Sequence, residues 1–372
     1  MRRLVRWLHV YAGLALSLLL FVLAVTGGAL VYKEAYWRRM YPDLRAPIPA
    51  IDAAGHAAAI EAARRHFGSA LRSVKLPEPG VNAYHLYLDD GEAFLSAVDH
   101  EVIDRWRPNE RVMALLFDLH AHLMAGDAGE RVGGVIGLMA AVMTITGLIL
   151  WWPTRSQFSL RNLAPRNLAR RMLVAWHRDI GMLASPVLLL LLLTGSGLVF
   201  YTTGQRILNG IFGDPVPVMK PPTSFADGDS PKAVDAALLA RVERVFPGAR
   251  IVFYYPPRDG ISYHQFRVKQ ACELHPNGRS YVYVDARGEE LAAIDACALP
   301  PGEKAMHAIY PLHAGKASSS LYKFVTFLGA VALAILSASG VVTYLQRIFG
   351  TLRRSRRVDM PRRARAAGAP RP

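Results

Sequence analysis

The chain has 372 residues, of which 52% are hydrophobic and 20% are charged, and its formal net charge is +15. A soluble protein of this length would have two or three domains, but nearly uncharged blocks such as 14–23 and 187–193 exclude a chain that is soluble throughout. The two cysteines exclude a disulfide scaffold, and they exclude an iron–sulfur cluster or a cysteine-rich zinc site held by this chain alone.

Four segments are apolar over the roughly 20 residues that a helix needs to cross a bilayer. They are residues 10–32, 132–152, 180–201 and 322–345. The first follows three arginines, as the apolar part of a signal peptide does. It is longer than the roughly 7–15 residues of a cleaved signal, so we expect a retained transmembrane helix.

The spans divide the chain into eight parts. The parts are a first transmembrane helix (1–32), a first long connection (33–130), a second helix (131–152), a basic loop (153–179), a third helix (180–201), a second long connection (202–321), a fourth helix (322–345) and an arginine-rich tail (346–372).

The charges of these parts predict the topology. Residues 1–9, 153–179 and 346–372 together carry 18 Lys and Arg against two acidic residues, whereas the long connections are nearly balanced in charge. Short, strongly basic connections are typical of the cytoplasmic side, so both termini are expected inside and both long connections outside. The positive charge is therefore a topology signal, aided by attraction to anionic lipid, and does not indicate nucleic-acid binding.

The chain also repeats itself, and its two halves align without gaps around their histidines. The matching residues are His9 and His177, Gly13 and Gly181, Gly27 and Gly195, His120 and His313, and Gly147 and Gly340. Each half is thus a span with histidine at its start, an external segment, a Leu-His element and a returning span.

Each long connection has the pattern of a small unit with one helix on an antiparallel sheet. The predicted helices are Ala53–Phe67 and 231–246, and the predicted strands are 71–76, 83–88 and 93–98 in the first unit and 250–255, 263–268 and 280–284 in the second. Asp89-Asp90-Gly91 and Asn277-Gly278 are turn signals between strands.

Twelve histidines are present, and those in polar or strand contexts are predicted to be ordinary surface residues. These are His56, His66, His85, His100, His264 and His275. The four in the repeated positions differ, because the repeat superposes them in pairs and ionisable residues at membrane depth are costly and usually functional.

Spacing predicts which of the four face each other. His9 and His177 each precede a glycine by 18 residues and should share one depth near the cytoplasmic face. His120 and His313 each precede theirs by 27, which places them at or just beyond the external face, and breaks at 126–129 and 318–320 would fold them closer to the membrane. Two histidines facing each other across a bundle supply the axial nitrogens of a b-type haem, so two haem groups are predicted.

Other metal groups and other ligands are also compatible with the sequence. Zinc fits less well, because each pair lacks a third and fourth ligand, and no covalent haem motif Cys-x-x-Cys-His is present. His122 and His307 are the alternative ligands. An oxidising compartment permits a disulfide between Cys272 and Cys297, neither of which lies in a redox-active Cys-x-x-Cys motif.

The His-x-x-x-Gly patterns, the Leu-His elements and the units between them resemble the PepSY-associated transmembrane helix family, most closely iron-regulated inner-membrane proteins of the FoxB/PiuB type. The resemblance covers roughly residues 1–350. It implies an α-helical integral membrane protein with four transmembrane helices in two repeats and two periplasmic α+β PepSY-like domains. It also implies a bacterial inner-membrane reductase of ferric siderophores with two haem b groups on His9, His177, His120 and His313.

The expected mechanism is an electron relay across the membrane. An unidentified donor, either a quinol or a cytoplasmic reductase, supplies the inner haem, and the outer haem reduces a ferric chelate docked between the external domains. No fused flavoprotein is expected, since no Gly-x-Gly-x-x-Gly motif occurs. The alternatives are a non-redox PepSY-type binding or regulatory protein, a quinone-linked redox protein, and an iron or haem permease, for which the spans offer few interior charges.

Overall fold

The computed structural model describes residues 1–45, 47, 50–215, 233–258, 261, 263–285, 288, 291–317 and 319–366. Its helices are α1 (Arg2–Leu30), α2 (Lys33–Met40), α3 (Ala53–Phe67), α4 (Val112–His122), α5 (Gly126–Trp151), α6 (Arg170–Val199), α7 (Tyr201–Phe212), α8 (Ala236–Val245), α9 (Pro301–His313) and α10 (Ser320–Ala366). Its strands are β1 (Leu71–Lys75), β2 (Ala83–Leu88), β3 (Gly91–Ser96), β4 (Val102–Trp106), β5 (Arg250–Tyr255), β6 (Tyr263–Lys269), β7 (Ser280–Asp285) and β8 (Leu291–Ile294).

Four of these helices, α1, α5, α6 and α10, are long and apolar enough to cross a membrane. They form a bundle in which α1 and α6 each pack against both α5 and α10, so α1 and α6 lie at diagonal corners. Leucine, isoleucine and alanine fill the centre, while large apolar residues such as Leu18 and Val142 are exposed on the outside. Apolar residues on every side of a helix are expected where lipid is the solvent.

The strands form a single antiparallel sheet of eight strands in the order β4-β3-β2-β1-β5-β6-β7-β8. Two units of four strands are joined where β1 pairs with β5, with Val74 opposite Tyr254 and Lys75 opposite Phe253. Helices α3 and α8 pack against each other, and their apolar residues share one core with both halves of the sheet. The two separate units expected from the sequence are therefore fused along their edges.

Most predicted elements of these units are present, and two strands were missed. Helix α3 has the predicted bounds, and six strands match within a few residues, whereas β4 and β8 at the two edges were not predicted. At the start of β3, Gly91 has φ +154°, and a Cβ there would lie 2.0 Å from the Trp106 carbonyl oxygen, so the Asp-Asp-Gly turn requires glycine. Residues 231–232 of the predicted second helix, Ser318 of the predicted break and residues 367–372 of the tail lie outside the described residues.

Two short helices, α4 and α9, connect the sheet to the bundle and end in the Leu-His elements. α4 packs against α1 and α5, and α9 packs against α6 and α7. After α4 the chain reverses through Leu123 and Met124, both left-handed with φ of 50° and 60°, before α5 begins at Gly126. This reversal brings the end of α4 back against the bundle.

The disulfide that the sequence permits between the two cysteines is present. Cys272 and Cys297 are bonded, with their Cα atoms 6.1 Å apart. The bond ties the loop after β6 to the segment that follows β8 and leads into α9.

Candidate functional site

The first histidine pair lies in the half of the bundle that contains the chain's N-terminus. His9 on α1 and His177 on α6 face each other from diagonally opposite helices, with ring centroids 6.4 Å apart and ring planes at 88°. We call them the inner pair. The structure thus brings together two residues 168 positions apart, as their spacing from matched glycines predicts.

Hydroxyl groups on the other two helices orient the inner pair. His9 Nδ1 lies 3.0 Å from Thr146 Oγ1 on α5, and His177 Nδ1 lies 2.9 Å from Ser339 Oγ on α10. Each hydroxyl donates its hydrogen to a carbonyl three residues earlier in its own helix, so its oxygen accepts from the ring N–H. The hydrogen is therefore on Nδ1, and Nε2 keeps a free lone pair in both rings.

The second pair, which we call the outer pair, enters the bundle from the sheet side. His120 at the end of α4 and His313 at the end of α9 have ring centroids 6.0 Å apart and planes at 33°. Each Nδ1 donates to a main-chain carbonyl 3.0 Å away, that of Leu23 for His120 and that of Leu191 for His313. Again the Nε2 atoms are the ones left to bind a ligand.

Glycines on α1 and α6 make room for the outer pair. A Cβ atom on Gly27 would lie 2.6 Å from His120 Cε1, and one on Gly195 would lie 2.7 Å from His313 Cε1. Gly147 and Gly340 lie against the inner pair more loosely, at 3.3 and 3.7 Å. Because 18 residues separate His9 from Gly27, the two pairs are about 27 Å apart along the bundle, close to the thickness of a hydrocarbon core.

The geometry of both pairs fits one metal ion held between two imidazoles. Metal–nitrogen bonds of about 2.0 Å place the centroids of two facing rings about 6 Å apart. In the part of the chain that the structure describes, no cluster of three or more His, Cys, Asp or Glu side chains is arranged to hold a metal. Two-nitrogen axial ligation, as in a b-type haem, is the metal chemistry that these pairs suit.

The alternative ligands occupy other environments. His122 Nδ1 lies 3.0 Å from Asp118 on its own helix. His307 is buried beside Glu303, with 3.9 Å between its Nε2 and the carboxylate. Burial, followed by the nearby Arg279 and Arg267, lowers the pKa of His307 to about 4.

A cavity of about 580 Å³ lies between the sheet and helices α2, α4 and α9. Both halves of the chain line it, through residues 33–117 and 267–310. Phe117 on α4 and Tyr310 on α9 belong to its lining, and each precedes an outer-pair histidine by three residues. The cavity therefore begins about one helical turn from the outer pair on both helices.

Three histidines that were predicted to lie on the surface are buried, and that prediction was wrong for them. His85, His264 and His275 are at most 3% exposed. His85 Nε2 lies 2.6 Å from Glu92, and His275 Nδ1 accepts from Arg267 and from the main-chain N–H of Asn277. Burial and the adjacent Arg279 and Arg267 lower the pKa of His275, so its ring is neutral and its hydrogen is on Nε2.

Sequence reasoning missed the cavity residues, because they lie on strands and loops far apart in the chain. The only available signal was the aromatic residue three positions before each outer-pair histidine. These aromatic residues, like the arginines at 267 and 279, indicate a cavity only once the two units are known to share one sheet.

The model of the PepSY-associated TM region family matches residues 6–347, and both histidine pairs, the sheet and the cavity fall within that range. The chain belongs to this family. A comparison with characterised proteins finds no match to the chain. The PepSY-associated membership and the four membrane-length helices make it a membrane protein, whose halves meet in one sheet and in two histidine pairs.

Proposed function

We propose that the protein is a bacterial inner-membrane electron-transfer protein that binds two b-type haem groups and reduces the iron of ferric siderophores at the periplasmic face. The observation that supports this most strongly is the pairing of four histidines at two levels of the bundle, each with its Nδ1 hydrogen-bonded so that Nε2 is left to bind a ligand.

The four histidines would be the axial ligands, His9 with His177 and His120 with His313. Their hydrogen-bond partners fix the tautomer and the ring orientation before the ligand arrives, and such partners raise the basicity of a ligating nitrogen. Haem iron, when bound, supplies reversible one-electron oxidation and reduction in an apolar medium.

The proposed direction follows from the charges outside the spans. Basic residues flank the inner pair's end of the bundle, so that end would face the cytoplasm and the sheet the periplasm. A quinol in the bilayer or a cytoplasmic reductase would supply electrons there. Lipid would surround the exposed apolar faces of the spans.

The cavity supports ferric chelates as the acceptor. It adjoins the outer pair and has a volume within the range of about 300–1,000 Å³ of small-molecule sites. Each chelate would take one electron, which converts Fe(III) to Fe(II). Siderophore oxygen donors bind the larger, less charged ion more weakly, so the iron is released.

The first experiment is the visible spectrum and haem content of the purified full-length protein. We expect a low-spin spectrum and two haems per chain. His9→Ala and His177→Ala should remove the same haem, and His120→Ala and His313→Ala should remove the other. A folded but colourless protein would contradict the proposal and favour a non-redox binding protein.

The second experiment tests the acceptor. The chemically reduced protein should reoxidise when a ferric siderophore is added, with iron appearing on a ferrous chelator. Replacement of His120 or His313 should abolish this release while the inner haem remains reducible. Reoxidation by quinones but by none of several ferric siderophores would favour a quinone-linked role, and iron or haem transport without electron transfer would favour a permease.

A further inference from the structure

The cavity between the sheet and helices α2, α4 and α9 has an excess of positive charge in its lining. Four cationic side chains line it, Lys33, Arg111, Arg267 and Arg279, against two carboxylates, Glu92 and Asp104. Among the described residues, the only ion pair between these cations and these acids joins Arg111 to Asp104, at 2.8 and 3.0 Å. Glu92 is bonded instead to His85.

The other three cations have no carboxylate partner among the described residues. Arg267, 9% exposed, donates to the Gly278 carbonyl and to His275. Arg279 Nε is buried and has no hydrogen-bond partner in the described part of the chain. Charge that is withdrawn from water without a partner is unfavourable, so an anion bound in the cavity would stabilise these groups.

Lys33 comes from the other half of the chain and is held by aromatic rings. Its Nζ lies 4.3 Å from the centroid of the Trp37 ring and 5.7 Å from that of Phe117. Burial lowers the pKa of this lysine, with Glu92 opposing the shift, and an anion bound in the cavity would raise it again. The neutral His275 adds a hydrogen-bond donor, since its Nδ1 already accepts two hydrogen bonds.

Aromatic side chains form much of the remaining wall. Trp37, Phe117 and Tyr310 are among seven such residues in the lining, and the His275 ring stacks on Tyr310 at 4.9 Å and 22°. Aromatic faces bind planar rings by offset or edge-to-face stacking. A ligand with both aromatic rings and negative charge would match the cations and the aromatic side chains of the lining. A cationic chelate would leave the arginines unpaired, and a purely aliphatic chelate would have no ring to stack on the aromatic side chains.

We infer that this cavity is the chelate site and that it selects polyanionic complexes with aromatic oxygen donors, of which a tris-catecholate with charge −3 is the simplest. The inference rests on the proposed reduction of ferric chelates and names the substrate class for that site. Lys33 from the first half and Arg267 and Arg279 from the second would contact the donor oxygens.

Binding is measured without electron transfer by using gallium(III), which is redox-inert under these conditions and replaces iron(III) in such chelates. The full-length haem-loaded protein in detergent is titrated with gallium tris-catecholate, and tryptophan fluorescence reports occupancy, since Trp37 and Trp106 line the cavity. We expect saturable binding that weakens with added salt. Arg279→Gln and Lys33→Gln should each weaken it about ten- to a hundredfold.

The matched control is Arg72→Gln, which removes an exposed arginine of the same sheet that pairs with Asp89 outside the cavity. It should bind with unchanged affinity. An unaltered haem spectrum in every variant verifies folding. The cationic gallium complex of desferrioxamine, inorganic phosphate and phosphatidylglycerol micelles serve as competitors. Each should displace half of the bound gallium tris-catecholate only at a concentration at least tenfold above that of the catecholate complex.

Equal binding of the cationic complex, or displacement by phosphatidylglycerol at equal concentration, would overturn the proposed ligand class. Unchanged binding in both the Arg279 and Lys33 variants would overturn the proposed location. If the gallium complex binds with the expected variant dependence but no ferric chelate oxidises the reduced protein, this inference holds and the reductase proposal fails. If ferric chelates are reduced but the gallium complex binds nowhere in the cavity, the reverse is true.

Discussion

Two glycines decide how closely the outer histidines approach the bundle. Gly27 and Gly195 leave just enough space for the edges of the His120 and His313 rings, whereas Gly133 on α5 has no atom within 4 Å of an added Cβ. Close helix approach through small residues is typical of membrane interiors. Here the small residues leave space for a histidine side chain instead of a second helix.

We therefore expect Gly27→Ala to expel the ring of His120 from its position. The added methyl would lie 2.6 Å from His120 Cε1, too close for any carbon contact. The purified variant should retain one haem per chain instead of two. Gly133→Ala is the matched control and should retain both, and loss of the inner haem in Gly27→Ala would contradict the assignment.

The ring planes predict two distinguishable iron signals. Perpendicular imidazoles, as in the inner pair at 88°, leave the iron π orbitals nearly equal in energy, whereas rings at 33° separate them. Electron paramagnetic resonance of the oxidised protein should show one strongly anisotropic and one rhombic low-spin signal. His177→Ala should remove the first and His313→Ala the second. Two identical signals would show that the rings turn when the ligand binds.

The sequence predicted these pairs because the repeat aligns them and helical rise converts spacing into depth. It did not predict their hydrogen-bond partners, although Thr26 and Thr194, and Thr146 and Ser339, stand beside matched glycines in the alignment. A hydroxyl at such a position can simply donate a hydrogen bond to a carbonyl of its own helix, so its presence does not predict a histidine partner. Only the packing of helices gives it a second partner. His9 on α1 and His177 on α6 are the second partners of Thr146 and Ser339. The outer-pair histidines at the ends of α4 and α9 are those of Thr26 and Thr194.

The disulfide holds the β6–β7 loop, which supplies His275, Asn277 and Arg279 to the cavity lining. Cys272 lies in the same β6–β7 loop as His275 and Arg279, and its bond to Cys297 closes a segment 25 residues long. A loop of this length is stabilised by about 3 kcal/mol through restriction of the unfolded chain.

We expect Cys272→Ser to lower the free energy of unfolding of the sheet by about 3 kcal/mol, measured by denaturant titration of tryptophan fluorescence. The haem spectrum should be unchanged, because both histidine pairs lie in or against the bundle. Cys297→Ser and the double variant should have the same effect as the single variant. A variant that also loses haem would show that the loop supports the outer pair.

A second connection between elements is electrostatic. Glu34 on α2 bonds to Lys316 after α9 and, at 3.3 Å, to Lys323 on α10. Burial alone would raise the pKa of Glu34, but the two lysines outweigh it and hold the pKa below the usual 4.5. The ionised carboxylate therefore favours the folded protein.

This stabilisation should be fully present above the ordinary pKa of a glutamate and should disappear as the pH falls through the lowered pKa of Glu34. Glu34→Gln should cost about 1 kcal/mol of stability at pH 7 and nothing at the acid end. Thermal melts at several pH values measure the difference. Glu101→Gln, at an exposed position, should show no such pH dependence, and a constant difference across the range would exclude the ion pairs as its cause.

The joining of the two units through β1 and β5 could not be predicted from local patterns. Both strands have the residue pattern of ordinary strands. Nothing in either sequence indicates that β1 and β5 will pair with each other. The pairing is a long-range choice between strands about 180 residues apart, made by the common core of α3 and α8. The edge strands β4 and β8 were missed because their short runs are half-buried or polar.

For the whole molecule, the charge distribution predicts which end faces outward. Asp90 is exposed on the sheet, and Ser156 is exposed in the basic connection after α5. Asp90→Cys should react with a membrane-impermeant maleimide in intact spheroplasts, and Ser156→Cys only after the membrane is opened. Labelling in the opposite order would reverse the proposed topology.

Each histidine pair takes one member from each half of the chain. The residues up to the end of α5 contribute His9 and His120, and those from α6 onward contribute His177 and His313. During synthesis, neither pair is complete until residue 177 of α6 has been added, and the outer pair is complete only once residue 313 has been added. Maturation of the protein is therefore ordered by its own chain, with the inner ligand position available first. A product truncated before residue 177 would contain only His9 and His120, one member of each pair, so under the proposed ligation it could not hold either haem iron between two imidazoles.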